Sequence, residues 1–225
     1  MNPDEKLVEA TQRNAAALIA EMEWFSQVLD VRMRLHFGES SDYQEVFDLP
    51  PPDPEQHPSN YMEVVTYYRL GFAERIILIL CLIPEVRPQL LDALFMRNET
   101  TQRGYTEFGG TLGMSHGGFI PTAETALFIL AGSNIDVRNE LTKIFTLDHF
   151  FFKHNMVQRI RHHEHEPLMS TTLSISREYL EYFREMDRVV LINGSCSWWR
   201  MRCTMLCLKK KWSSVKILVN SLRTS

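Results

Sequence analysis

Apolar residues recur at alternating steps of three and four near the start of the chain: Val8, Thr11, Ala15, Leu18, Met22, Phe25 and Leu29. That spacing predicts one amphipathic helix from about Leu7 to His36, with Ile19 and Trp24 widening its stripe. A stripe this regular over three heptads also suits a coiled-coil seam, which makes Leu18, Met22, Phe25 and Leu29 candidates for self-association. The pattern stops at Gly38. Between Gly38 and Asn60 lie five of the ten prolines and six acids, with no Lys or Arg. Proline fixes φ and lacks a backbone donor, so neither helix nor central strand can run through LPPPDPEQHP. The segment reads as an acidic linker or extended arm, with Tyr43, Val46, Phe47 and Leu49 as apolar pegs for docking.

Helical periodicity returns at Tyr61. YMEVVTYYRLGFAERIILILCLI is apolar on most sides and predicts a buried helix pair, broken near Gly71 and stopped by Pro84. Cys81 falls inside it as an inert core thiol. Pro88 suits the first turn of RPQLLDALFM. Six of the ten glycines gather in GYTEFGGTLGMSHGG, a turn-rich connector. Beyond it, PTAETALFILAG predicts a short helix closed by Gly132. SNIDVRNELTKIFTLDHFFF predicts a second, capped by Ser133 or Asn134, with Ile135, Leu141, Ile144, Phe145 and Leu147 inward. VQRIRHH and LMSTTLSIS then flank the turn EHEP. Met169, Thr171, Leu173 and Ile175 alternate with Ser170, Thr172, Ser174 and Ser176, the mark of a half-buried strand. Ser176 caps a last helix, REYLEYF. The expected fold class is mainly α with a small β-hairpin wing. Its parts are a long helix at 1–37, a linker at 38–60, a helical core and glycine-rich connector at 61–118, and a winged-helix-like unit at 119–183.

The 225 residues (26.3 kDa) are 44% hydrophobic and 23% charged, ordinary for a globular chain and unlike a disordered or disulfide-stapled one. The net charge of −4 hides an asymmetry. Residues 1–183 carry 15 basic and 26 acidic side chains, whereas 184–225 carry nine and two. The same 184–225 stretch holds Cys196, Cys203, Cys207 and three of the four tryptophans. A basic arm for nucleic acid or anionic lipid, a zinc site, and a non-native or frameshifted end are its three readings. The absence of a CxxC pair disfavours zinc, and paired Trp together with lost acids favours the last. With neither a leader-like start nor a run of about 18 apolar residues, a cytoplasmic protein without a membrane span is expected.

The chemistry-bearing clusters are weak. A glycine loop ahead of a helix invites comparison with phosphate-binding loops, but Gly118 is followed by Phe119 and Ile120 where Lys and Ser or Thr are needed. His162, His163, Glu164 and His165 fall at a hairpin turn, where adjacent side chains alternate faces and cannot share one ion. Ser115 and His116 lack a third partner. Glu63, Glu74 and Glu107 are lone carboxylates. No catalytic, cofactor-binding or metal residue is assigned. For nucleic acid, the second helix sets Arg138 and Lys143 against Asp136, Glu140 and Asp148, while Lys153, Arg159 and Arg161 gather on the wing strand as candidate contacts. The acidic balance of 1–183 favours a winged helix that contacts protein over one that contacts DNA.

Three of these phrases together, GYTEFGGTLGMSHGGF, IPTAETALFILAG and DHFFFKHNMVQRIRHHEHEPLMSTTLSIS, resemble the N-terminal region of bacterial AAA-family ATPases. There a variant winged-helix domain precedes the ATPase module. The resemblance spans about 1–183 and ends near Arg184, where the composition also changes. It implies that this chain is a truncated, non-catalytic front of an ATP-driven machine, acting in substrate or partner recognition and assembly. ATP and magnesium are implied only for the missing module, and no nucleotide-binding residue carries over. The alternative is a DNA-binding winged-helix regulator using Lys153, Arg159 and Arg161.

Overall fold

The long stripe forms the helix it predicts: α1 runs from Pro3 to Phe37. The computed structural model describes residues 3–113, 115–161 and 165–184, all within one unit, Met1–Asp187. The second unit, Arg188–Ser225, lies outside the described residues, as do the tail cysteines and most of the tail's basic residues. On α1, Leu18, Met22, Phe25 and Leu29 are buried against the chain's own helices. The helices Asn60–Tyr68, Phe72–Val86, Ala123–Ala131 and Arg177–Arg184 all pack along α1, so the four candidate self-association residues are covered within the chain. Val8, Thr11, Ala15 and Ile19 are exposed, so only the C-terminal half of the stripe is core.

The proline-rich arm docks on α1. Val46 and Leu49 are buried pegs, while Tyr43 and Phe47 stay exposed. Two bonds fix the arm where proline has no donors of its own: Trp24 Nε1 donates to the Leu49 carbonyl (3.3 Å), and Arg75 Nη2 to that of Pro52 (2.9 Å). Helix α2 (Asn60–Tyr68) starts at Ser59, whose Oγ accepts from Met62 N. It ends at Arg69 in the left-handed region. Gly71 caps α3 (Phe72–Val86), the central helix, buried continuously from Arg75 to Ile83. Pro84 does not stop α3, which runs two residues further; the missing N–H removes one ladder bond in a turn already close to its end. A 3-10 turn follows at Pro88–Phe95.

The glycine-rich connector folds into a 3-10 turn (Thr106–Phe108) and an antiparallel pair, β1 (Thr111–Leu112) with β2 (Phe119–Ile120). Helix α4 (Ala123–Ala131) ends at Gly132 as expected. The single helix expected next is instead α5 (Ile135–Thr142), a 3-10 turn (Lys143–Phe145) and α6 (Phe150–Lys153). Threonine hydroxyls break it: Thr142 Oγ1 donates to the Arg138 carbonyl and Thr146 Oγ1 to that of Lys143, with Thr146 itself extended. Strands β3 (Val157–Ile160) and β4 (Thr172–Ile175) form the expected antiparallel hairpin, with Val157 opposite Ile175. A single bridge between Thr122 and Thr172 adds a third chain on the other side of β4. Strand β4 is therefore central, and Thr172 is buried although the alternation placed it outward. Helix α7 (Arg177–Arg184) closes the unit, capped by Ser176 and packed through Tyr179 and Phe183. Among the described residues the fold is mainly helical with two small antiparallel strand pairs.

Candidate recognition surface

Helices α4 and α5 are held at a tight corner. Gly132 adopts φ +55°, and a Cβ there would lie 2.6 Å from Arg32 Nη1. Arg32, from α1, donates through Nε and Nη2 to the carbonyls of Ile129 and Leu130, both at 2.9 Å, placing a cation on the last turn of α4. Burial pushes the Arg32 pKa down, with Glu45 opposing. Arg138 donates to the Gly132 carbonyl and pairs with Glu124, tying α5 back to α4. Asn134 Oδ1 accepts from the N–H groups of Asp136 and Val137, so Asn134 rather than Ser133 caps α5.

No residue of α5 is buried. Val137, Arg138, Leu141 and Thr142 form its half-covered side, and Ile135, Asp136, Asn139, Glu140 and Lys143 lie on one exposed arc. Ile135 is 70% exposed and Leu147 67%, which corrects the inward placement of both. Ile135 stands at the first helical position, on the outer arc, and Leu147 in the loop that separates the 3-10 turn from α6. Ile144 and Phe145 are buried as expected.

The three candidate nucleic-acid residues are engaged within the chain. Lys153 sits at the end of α6, not on the wing strand, 3.5 Å from Asp148. Arg159 Nη1 donates to the Phe145 carbonyl (2.6 Å), and its guanidinium lies over the Phe152 ring. Arg161 Nη2 donates to the Glu166 carbonyl (3.0 Å). Of the wing cluster, His162, His163 and Glu164 lie outside the described residues. Ile160 and Leu168 are exposed on the same hairpin.

The glycine loop is packed against the start of α4 and not left open. Gly110 N donates to Thr122 Oγ1 (3.0 Å), which also accepts from Thr125 N, and Ala123 N donates to the Thr171 carbonyl. The N–H groups of Ala123 and Thr125, which a phosphate at this terminus would need, already have partners. His116 Nε2 is buried without a hydrogen bond among the described residues, and Ser115 beside it is exposed. The sequence reading missed the buried cluster beneath the arm. Glu21 accepts from Arg75 Nε (2.9 Å), Arg75 Nη2 (2.6 Å) and Tyr61 OH (3.0 Å). The signal was present: an acid between Leu18 and Phe25 on the apolar side of α1, and an arginine opening the apolar run of α3. Arg75 Nε, Arg75 Nη2 and the Tyr61 hydroxyl all converge on Glu21, which makes the cluster a strut between α1, α2 and α3.

No family profile, curated protein or solved structure matches this chain. Among the described residues no group of His, Cys, Asp and Glu is arranged to hold a metal, and no helix is long and apolar enough to cross a membrane.

Proposed function

We propose that residues 119–183 form a winged-helix unit that recognises a protein, in a cytoplasmic, non-catalytic region that stands before an AAA-family ATPase module. The observation that carries this reading is the outer arc of α5. In a winged helix the second helix of the pair meets the partner. Here that helix offers Ile135, Asn139, two acids and one lysine, with Leu147 exposed just beyond it. An apolar and mildly acidic face suits a protein and repels phosphate. The single Thr122–Thr172 bridge supports the winged-helix reading, since it sets the residue that caps α4 alongside the hairpin. Nucleotide binding and catalysis belong, on this account, to the ATPase module alone.

DNA binding through Lys153, Arg159 and Arg161 is the second reading, and the internal bonds of all three weigh against it. Duplex-DNA titration of the full chain tests it. Alanine at Lys153 and Arg161 is expected to leave both affinity and salt slope unchanged. A slope smaller by about two charges would favour the DNA reading.

A further inference from the structure

The groove beneath the proline-rich arm reads an extended proline segment. Leu49, Pro50 and Pro51 each precede a proline, which pushes their backbone into the extended region, and Leu49 lies there at φ −84°, ψ 113°. Such a run winds at about three residues per turn without internal hydrogen bonds, so the carbonyls of Leu49 and Pro52 share one side and are free to accept. Both are read by helices of the body. Trp24 Nε1 of α1 donates to Leu49 (3.3 Å), and Arg75 Nη2 of α3 donates to Pro52 (2.9 Å). Val46 and Leu49 are buried beside them, and Phe47 packs on Phe72 with ring centroids 4.9 Å apart.

The two donors are held by the body and not by the arm. Glu21 accepts from Arg75 Nε and Nη2, the Trp24 ring meets Phe72 edge-on at 5.0 Å, and the Arg75 guanidinium lies 5.4 Å from the Trp24 centroid. Lifting the arm leaves that frame intact. The arm's own attachment is slight. Among the described residues no backbone hydrogen bond joins 41–58 to the rest of the unit, and the N–H groups of Asp48, Leu49 and Gln56 all bond within the arm. A segment fastened by two carbonyls and two apolar pegs is of the kind that opens locally while the core stays folded. An aromatic-lined groove whose donors match carbonyls one turn apart is a means of binding proline-rich segments of other chains.

We propose that the Trp24–Arg75 groove is a recognition site for a proline-rich segment of a partner protein, closed here by the chain's own arm, which the partner displaces. A fluorescein-labelled peptide of residues 44–56 and a full-chain variant, Val46→Ser with Leu49→Ser, test it without involving the α5 surface. Anisotropy should show the peptide binding the variant, whose arm is loosened, at least about tenfold more tightly than the parent, where the tethered arm competes. The peptide carrying Leu49→Ala binds about tenfold more weakly, and a peptide of scrambled order does not bind. Equal binding to parent and variant, equal binding of the scrambled peptide, or no binding to a variant that keeps the parent's circular dichroism would each overturn the proposal. Native-state hydrogen exchange of the parent gives a second reading that no substitution can disturb. The amides of Asp48, Leu49 and Gln56 should exchange at least about a hundredfold faster than those in the buried run of α3. Exchange at the rate of α3 would overturn the proposal, since an arm that opens only with the core cannot be displaced.

Discussion

At the scale of single residues, the least replaceable group is Glu21, wholly buried with Arg75 and Tyr61 around it. Burial and the neighbouring carboxylate push the Tyr61 pKa well up, so the phenol remains a donor to Glu21. Glu21→Gln strands the Arg75 charge away from water and should cost about 3 kcal/mol in urea unfolding. Replacing both Glu21 and Arg75 by Met should recover part of that loss; a double variant no better than the single would contradict the strut assignment. His149 makes a second prediction. Its Nδ1 accepts from Phe151 N as the cap of α6, and burial lowers its pKa from the ordinary 6.5, with Glu74 opposing. The folded state therefore binds this proton less readily than the unfolded chain. The contribution is complete above pH 6.5 and is lost as pH falls through the lower folded-state value. His149→Asn keeps a capping acceptor without titrating. Its melting temperature should fall less than that of the parent between about pH 7 and pH 5, and parallel curves would refute the assignment.

At the scale of elements, the start of α4 concentrates the strain and the bonding of the connector. Gly110 adopts φ +77°, and a Cβ there would fall 2.0 Å from the Phe119 ring. Gly110→Ala should cost more than about 2 kcal/mol, and Thr122→Ala about 1–2 kcal/mol through loss of a cap that also holds Gly110 N. Thermal unfolding that ranks the two in the opposite order would contradict the close approach of loop and ring. These elements also mark what was legible. Caps were readable because they act locally: Gly132, Asn134 and Ser176 sit where their backbone or side chains require, whereas Pro84 did not end α3. The division of the third helical run into α5, a 3-10 turn and α6 was not, since Thr142 and Thr146 act through hydroxyl bonds that periodicity does not register. Nor was the burial of Thr172, which follows from a bridge to Thr122 fifty residues away.

At the scale of the molecule, the stretches read as separate parts from 1 to 183 share one core around α3. Sequence patterning identified which faces were apolar but not what covers them: the stripe that also suited a coiled-coil seam is covered here by α2, α3, α4 and α7. The converse held at α5, where Ile135 and Leu147 fit an inward pattern and face solvent. What remains on the described surface after the core is assigned is the outer arc of α5 and the apolar residues of the wing. Photo-crosslinking in cells from a benzoylphenylalanine placed at position 135 addresses the central claim most directly. A discrete adduct that resists nuclease, is destroyed by protease and disappears with Glu140→Arg is the predicted result. An adduct sensitive to nuclease, or none at all, would contradict protein recognition through α5.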